Sequence, residues 1–145
     1  DQFSAICIRC GNCAKACPTV IIRSLFDTTS IMELLTPHVV FHPGYCLPEC
    51  TICGQVCPSH AIKRFRQADK KKLFIGTASV QLDKCVLTRH EECDLCDRSC
   101  SYHAVEIRTS DSDLRAWPEI ITDLCVGCGA CMVVCPAQAI NIRSV

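Results

Sequence analysis

Apolar residues in this chain come in short runs, and the period they keep changes every few residues. Alternation of apolar and polar positions marks Ala104 to Arg108 and Glu119 to Thr122 as strands flanking a Ser/Asp turn at Thr109 to Asp113. A second pair of strands is expected at Lys63 to Arg66 and Thr77 to Leu82, around a lysine-rich turn. A short helix is expected to start just before it, at Ser59 to Ile62. From Ser24 to Leu35 the spacing is helical, with Leu25, Ile31, Leu34 and Leu35 on one face. That run stops ahead of Pro37 and reads as a crossover. No apolar run approaches the roughly 18 residues of a membrane-spanning helix.

Composition indicates what holds such small pieces together. At 145 residues the chain is one domain or two very small ones. Sixteen residues are cysteine, against 5 Phe, 2 Tyr and 1 Trp. An ordinary oily interior is therefore excluded, and a group bound to the sulfurs must organise the chain. The balance of 15 basic and 15 acidic residues carries no nucleic-acid footprint. No signal peptide or charged leader is visible. The chain begins at Asp1 without Met and reads as processed, trimmed or a piece of something longer.

The cysteines form four groups: Cys7, Cys10, Cys13, Cys17; Cys46, Cys50, Cys53, Cys57; Cys85, Cys93, Cys96, Cys100; and Cys125, Cys128, Cys131, Cys135. Each group ends in the same C-x2-C-x3-C step. The first and fourth are C-x2-C-x2-C-x3-C-P, closing on Pro18 and Pro136. The second opens its first spacer to Leu47, Pro48 and Glu49 and closes on Pro58. The third opens it to Val86 through Glu92 and ends in Ser101. A disulfide scaffold fits badly, because cysteines three apart on a tight loop aim at one centre. Zinc sites normally split each tetrad into two pairs separated by a longer spacer. The pattern is that of the iron–sulfur run, in which three close thiolates hold three corners of a [4Fe–4S] cube. The fourth cysteine, beside proline, ligates the neighbouring cluster. Four such runs make four [4Fe–4S] clusters and use all sixteen cysteines as iron ligands, leaving no catalytic nucleophile.

The chain resembles a polyferredoxin built from two bacterial-type two-cluster units, and the likeness covers nearly all of it. Phe3-Ser-Ala-Ile-Cys-Ile-Arg-Cys-Gly-Asn-Cys and the third group resemble the NapG/MauM-type ferredoxin family. The second group, with Tyr45-Cys46 and Cys53-Gly-Gln-Val-Cys-Pro, is closer to related multi-cluster proteins with a membrane portion upstream; neither such a portion nor a twin-arginine leader is read within these 145 residues. The resemblance implies an α+β fold: two ferredoxin-like units, each a small sandwich of strand, cluster loop, short helix and hairpin, then the same again. It also implies a soluble domain associated with a membrane complex, on the periplasmic side, with a cytoplasmic setting as the alternative.

Two pairings of the groups are open. In the nested order, groups two and three form an inner unit (37–109), and groups one and four an outer unit (1–36 plus 110–145). The tandem alternative divides the chain as 1–70 and 71–145. Nesting is expected, because groups one and four share the unexpanded spacing and Gly11 or Gly129. Groups two and three share an expanded spacer and a histidine three residues past the last cysteine, His60 or His103. The nested order also resembles the iron–sulfur subunits of membrane formate dehydrogenases and nitrate reductases. Nesting joins Cys7, Cys10, Cys13 with Cys135; Cys125, Cys128, Cys131 with Cys17; Cys46, Cys50, Cys53 with Cys100; and Cys85, Cys93, Cys96 with Cys57. In the tandem order the fourth ligands become Cys57, Cys17, Cys135 and Cys100 in chain order.

The glycines Gly11, Gly54, Gly127 and Gly129 serve both tight turns and N–H donation to cluster sulfur. Pro18, Pro58 and Pro136 are expected to start a helix. Ser101 in the third group leaves the adjoining cluster more hydrated and its potential shifted. His60 and His103, with Gln138 in the matching place, are expected to cap a helix or face water rather than couple potential to pH. The segment Lys63 to Lys72 is read as a solvated hairpin tip that can also dock an acidic partner. It stands out more once each oxidised cube with four thiolates is counted at about −2. Trp117 is expected to pack. No dinucleotide loop, flavin site or molybdenum region is recognisable. The expected function is single-electron transfer along a four-cluster relay, a non-catalytic subunit serving a redox protein partner or membrane quinone-linked complex. It has no nucleic acid and no small-molecule substrate of its own. The alternative is an iron–sulfur enzyme or accessory subunit with an open-site cluster.

Overall fold

The computed structural model describes residues 2–24, 34–110 and 115–144, and the chain divides into two compact units, Asp1–Lys70 and Lys71–Val145. The nested boundaries, 1–36 plus 110–145 around 37–109, are not those of the structure. Groups one and two lie in one unit and groups three and four in the other. Shared spacer length reports the size of a loop, not the identity of the partner motif, and it misdirected that expectation.

The first unit runs α1 (Gln2–Ile6), α2 (Asn12–Ala16), β1 (Ile22–Ser24), β2 (Pro37–Val39) and α3 (Ile52–Gln55). A 3-10 helix at Gln67–Lys72 spans the boundary. β1 and β2 pair antiparallel with Arg23 opposite His38, and the Arg23 guanidinium donates to the His42 carbonyl at 2.7 Å. The helix expected from Ser24 to Leu35 lies mostly outside the described residues; of its ends, Ser24 closes β1, and Leu34 and Leu35 form a turn.

The second unit runs β3 (Gly76–Val80), a 3-10 helix (Val86–Arg89), α4 (Leu95–Arg98), β4 (Val105–Thr109), β5 (Ala116–Ile120), α5 (Ala130–Val134) and β6 (Ile140–Ser144). β4 and β5 form the expected hairpin, in register Arg108 to Trp117, with the return strand starting three residues earlier than the Glu119 to Thr122 expected from alternation. Glu106 and Glu119 face each other across it, and Arg108 bridges both, at 2.9 Å and 2.6 Å. Opposed like charges destabilise a strand pair, so the bridging guanidinium accounts for their tolerance. Pro118 is accommodated because this sheet has only two strands and leaves an edge free.

The expected hairpin of Lys63 to Arg66 with Thr77 to Leu82 does not form. Lys63 to Arg66 has no strand partner, and β3 pairs with β6, Val80 opposite Ile140. The cause lies at the start of each unit. β6 returns to a strand that precedes its unit's first cluster motif, whereas helix α1 holds that place in the first unit and offers no ladder edge. Ser59 to Ile62 is turn and bend, and Pro18, Pro58 and Pro136 each lead into a turn rather than a helix.

Packing is thin around large side chains. The second unit's core gathers Ala78, Cys96, Val105, Cys131 and Ile140, with Cys85, Leu87 and Ala139 alongside. Among the described residues no large side chain is fully buried. Backbone approaches backbone instead: Gly127, at φ 71°, passes so close to Gly76 that a Cβ there would overlap the Gly76 carbonyl. Small residues and thiols line an interior that side chains alone do not fill.

Candidate metal centres

All sixteen cysteines are free thiols, and they gather around four cavities. Site I is lined by Cys7, Cys10, Cys13 and Cys57, and site II by Cys17, Cys46, Cys50 and Cys53. Site III is lined by Cys85, Cys93, Cys96 and Cys135, and site IV by Cys100, Cys125, Cys128 and Cys131. The nested ligand list is therefore corrected. Cys135 meets the third group and not the first, Cys17 the second and not the fourth, Cys100 the fourth, and Cys57 the first. Each cavity takes three thiols from one motif and the fourth from the motif paired with it in the same unit.

Local structure explains the placement. The third cysteine of each group sits on a one-turn helix: Cys13 on α2, Cys53 on α3, Cys96 on α4 and Cys131 on α5. Helical backbone there turns the thiol inward. The fourth cysteine is followed by a turn whose third residue is left-handed: Val20, His60, His103 and Gln138 have φ of 55°, 56°, 50° and 49°. Each sends its N–H back to the cysteine carbonyl, at 3.1, 3.4, 3.1 and 3.2 Å. The reversed backbone then aims later amides at the sulfur. Ala104 N–H donates to Cys100 Sγ at 3.2 Å, Ala139 N–H to Cys135 Sγ at 3.3 Å, and Ile62 N–H to Cys57 Sγ at 3.4 Å. His60 and His103 are exposed and act through their backbone, while neither imidazole lines a cavity. Sequence reasoning paired the histidines and Gln138 but missed Val20, whose side chain disguises the same conformation.

The thiols differ in acidity by position. Burial pushes the Cys131 thiol up to about 12 and Cys96 up to about 11, neighbouring cysteines adding to both. Burial likewise raises Cys13 and Cys53. At Cys17 and Cys57 burial also pushes upward, but N–H donors and the Thr19 and Ser59 hydroxyls outweigh it and lower the thiol. In the first unit the fourth cysteine of each motif is thus favoured as a thiolate, the form that ligates metal.

Each cavity leaves roughly 320 to 360 Å³ free of protein atoms, part of it open to solvent. In every one, four sulfurs surround that space among mainly apolar neighbours, with Arg9 also at site I and Lys70 at site II, and amides donate to the fourth sulfur of sites I, III and IV. That donor set fits a thiolate-held iron–sulfur group, whose cubic core fills a space between four cysteines.

A ferredoxin-type iron–sulfur protein is the class that these paired cysteine motifs define. The 4Fe-4S dicluster domain family model matches residues 6–61, spanning groups one and two together, and the 4Fe-4S binding domain model matches residues 118–141. The chain is 31% identical to the ferredoxin-type protein NapF of Escherichia coli, over 97% of this chain and 77% of NapF. It is 32% identical to the methylamine utilization ferredoxin-type protein MauM of Methylorubrum extorquens, over 99% of this chain and 67% of MauM. It is 33% identical to the ferredoxin-type protein NapG of Haemophilus influenzae, spanning 97% of this chain but only 53% of NapG. The chain belongs to this ferredoxin-type family of [4Fe–4S] electron-transport proteins. Among the described residues, no helix is long and apolar enough to cross a membrane.

Proposed function

We propose that the chain is a four-cluster relay, carrying single electrons between a redox partner and an enzyme or membrane complex. The observation that carries this reading is the set of four cavities, each lined by four thiols, the fourth contributed by the paired motif. A [4Fe–4S] group supplies one-electron exchange with little reorganisation. The chain's own residues hold it, exclude water and tune it. Cysteine thiolates bind, the one-turn helices orient the third thiol, and the amides of Ile62, Ala104 and Ala139 donate to sulfur, which favours added negative charge. No cavity is short of a cysteine, which supports the relay over an enzyme with an open iron site.

Partners follow from charge and kinship. Lys63, Arg64 and Arg66 are exposed beside site I's motif partner, with Lys71 and Lys72 exposed further along, and suit an acidic face on a redox partner. Lys70 leaves that docking segment because it is buried. NapG and MauM are the family's guide to setting. The setting we read for this chain is association with a membrane complex on the periplasmic side, with the cytoplasmic side as the alternative.

Iron and acid-labile sulfide per chain, measured without oxygen, test the reading. About 16 of each with reversible one-electron reduction is expected. Zinc without sulfide, or clusters that do not reduce reversibly, would overturn it.

A further inference from the structure

The four tetrads are alike in sulfur and unlike in charge. Among the described residues, no charged side chain lines site III or site IV. Arg9 borders site I, half-buried, and its Nε donates to Thr36 Oγ1 at 3.3 Å. Site II is different. Lys70, only 5% exposed, lines it, and its Nζ donates to Cys46 Sγ at 3.2 Å and to the Cys50 carbonyl at 2.6 Å. The Phe65 ring lies 5.2 Å from the same ammonium. Lysine is almost never fully buried unless paired, because stripping its water costs several kcal/mol. Among the described residues no carboxylate is in contact with it: a carbonyl, a ring face and cysteine sulfur surround it. The negative charge it lacks is the charge a thiolate-held group brings to site II.

We propose that Lys70 makes the iron–sulfur group at site II the most easily reduced of the four, so that an electron entering the chain settles there. The proposal rests on the four-cluster reading above. Adding an electron makes a thiolate-ligated cluster more negative, and a buried cation in contact with a ligand sulfur stabilises that state most. The low-dielectric surroundings keep solvent from screening it. The step is the transfer of one electron from a one-electron donor, with no bond made or broken.

The test is an anaerobic redox titration of the full chain followed by electron paramagnetic resonance, with dithionite as donor. The substitutions are Lys70→Met and Lys70→Arg, with exposed Lys71→Met as the control for net charge. At a fixed potential, Lys70→Met is expected to lower the reduced-to-oxidised ratio of one component at least tenfold, 59 mV for a one-electron couple, leaving the other three in place. That component is the first to reduce in the unsubstituted chain and the one whose g values change in Cys50→Ser. Lys70→Arg recovers most of the shift, and Lys71→Met produces none. Four unmoved components overturn the proposal, as does an equal shift in Lys71→Met or movement of a component that Cys50→Ser does not touch. If Lys70→Met loses iron, Lys70→Gln is titrated in its place and judged in the same way. An unsubstituted chain without sulfide or reversible reduction overturns the four-cluster reading instead. A reducible chain indifferent to Lys70 overturns this inference alone.

Discussion

Which cysteines share a cluster can be decided by counting cubes in paired substitutions. In the structure Cys100 and Cys128 line the same cavity, while Cys50 lines another in the other unit. Replacing Cys100 and Cys128 together by Ala removes two of four thiols from one site and leaves the other three sites whole. About 12 irons in three intact cubes are expected. Replacing Cys50 and Cys100 together injures two sites, leaving two intact cubes and about 8 irons in them. The nested pairing reverses this, because it would put Cys50 and Cys100 on one cluster and Cys100 and Cys128 on two. The contrast is a non-additivity measurement, with damage overlapping when two residues serve one site and adding when they do not. Mössbauer spectra of iron-57-loaded protein separate whole cubes from three-iron remnants, so a single-cysteine loss cannot be mistaken for a whole one. Two intact cubes in the Cys100/Cys128 variant and three in the Cys50/Cys100 variant would refute the tandem arrangement.

Three further outcomes are expected. Gly127→Ala is expected to cost about 3 kcal/mol, part from its left-handed backbone and the rest from overlap with Gly76. Gly11→Ala, at a similar φ but with open space around it, is expected to cost only about 1 kcal/mol. Equal denaturation midpoints for the two would contradict the close approach. Val20→Asn should raise the unfolding midpoint, gaining about 1 kcal/mol, because a β-branched residue that is 58% exposed gives up little burial and escapes a strained φ of 55°; a lowered midpoint would count against the shared turn. Asn in place of His60 or His103 should leave the slope of midpoint potential against pH between 5 and 8 unchanged, roughly the window in which free imidazole titrates. A flattened slope would show that an imidazole senses a cluster.

Much of this molecule was legible because cysteine spacing is a direct statement of ligand geometry. The gathering of the cysteines in fours, and strand β4 with its alternating Val105, Glu106, Ile107 and Arg108, could be read from residues alone. Partner choice could not. The fourth ligand comes from a motif tens of residues away, and nothing in a C-x3-C step encodes which one. Lys63 to Arg66 looked like a strand because its own residues permit one; what denied it a partner was helix α1, far off in sequence. Lys70 was hidden in a different way. In a run of three lysines the middle of a solvated tip is the natural assumption, and only the 3-10 turn at Gln67–Lys72 rotates one of them inward. The left-handed residue after each motif escaped because Val, His and Gln share no chemistry there, only a backbone angle.

The exchange of fourth cysteines within each unit has a consequence for how the protein is made. Neither motif of a pair can complete a cavity alone, and in the second unit Cys96 of site III and Cys131 of site IV pack in one core. Filling one site therefore fixes the loop that must supply the last ligand to its neighbour. On the four-cluster reading, iron delivery to a unit becomes a concerted event in which the second cluster enters a site already drawn together by the first. Under scarcity such a chain does not thin out evenly. It sorts into units that are fully charged and units that are empty, and an empty second unit, left with only the small core around Ala78, Val105 and Ile140, is what proteases would clear.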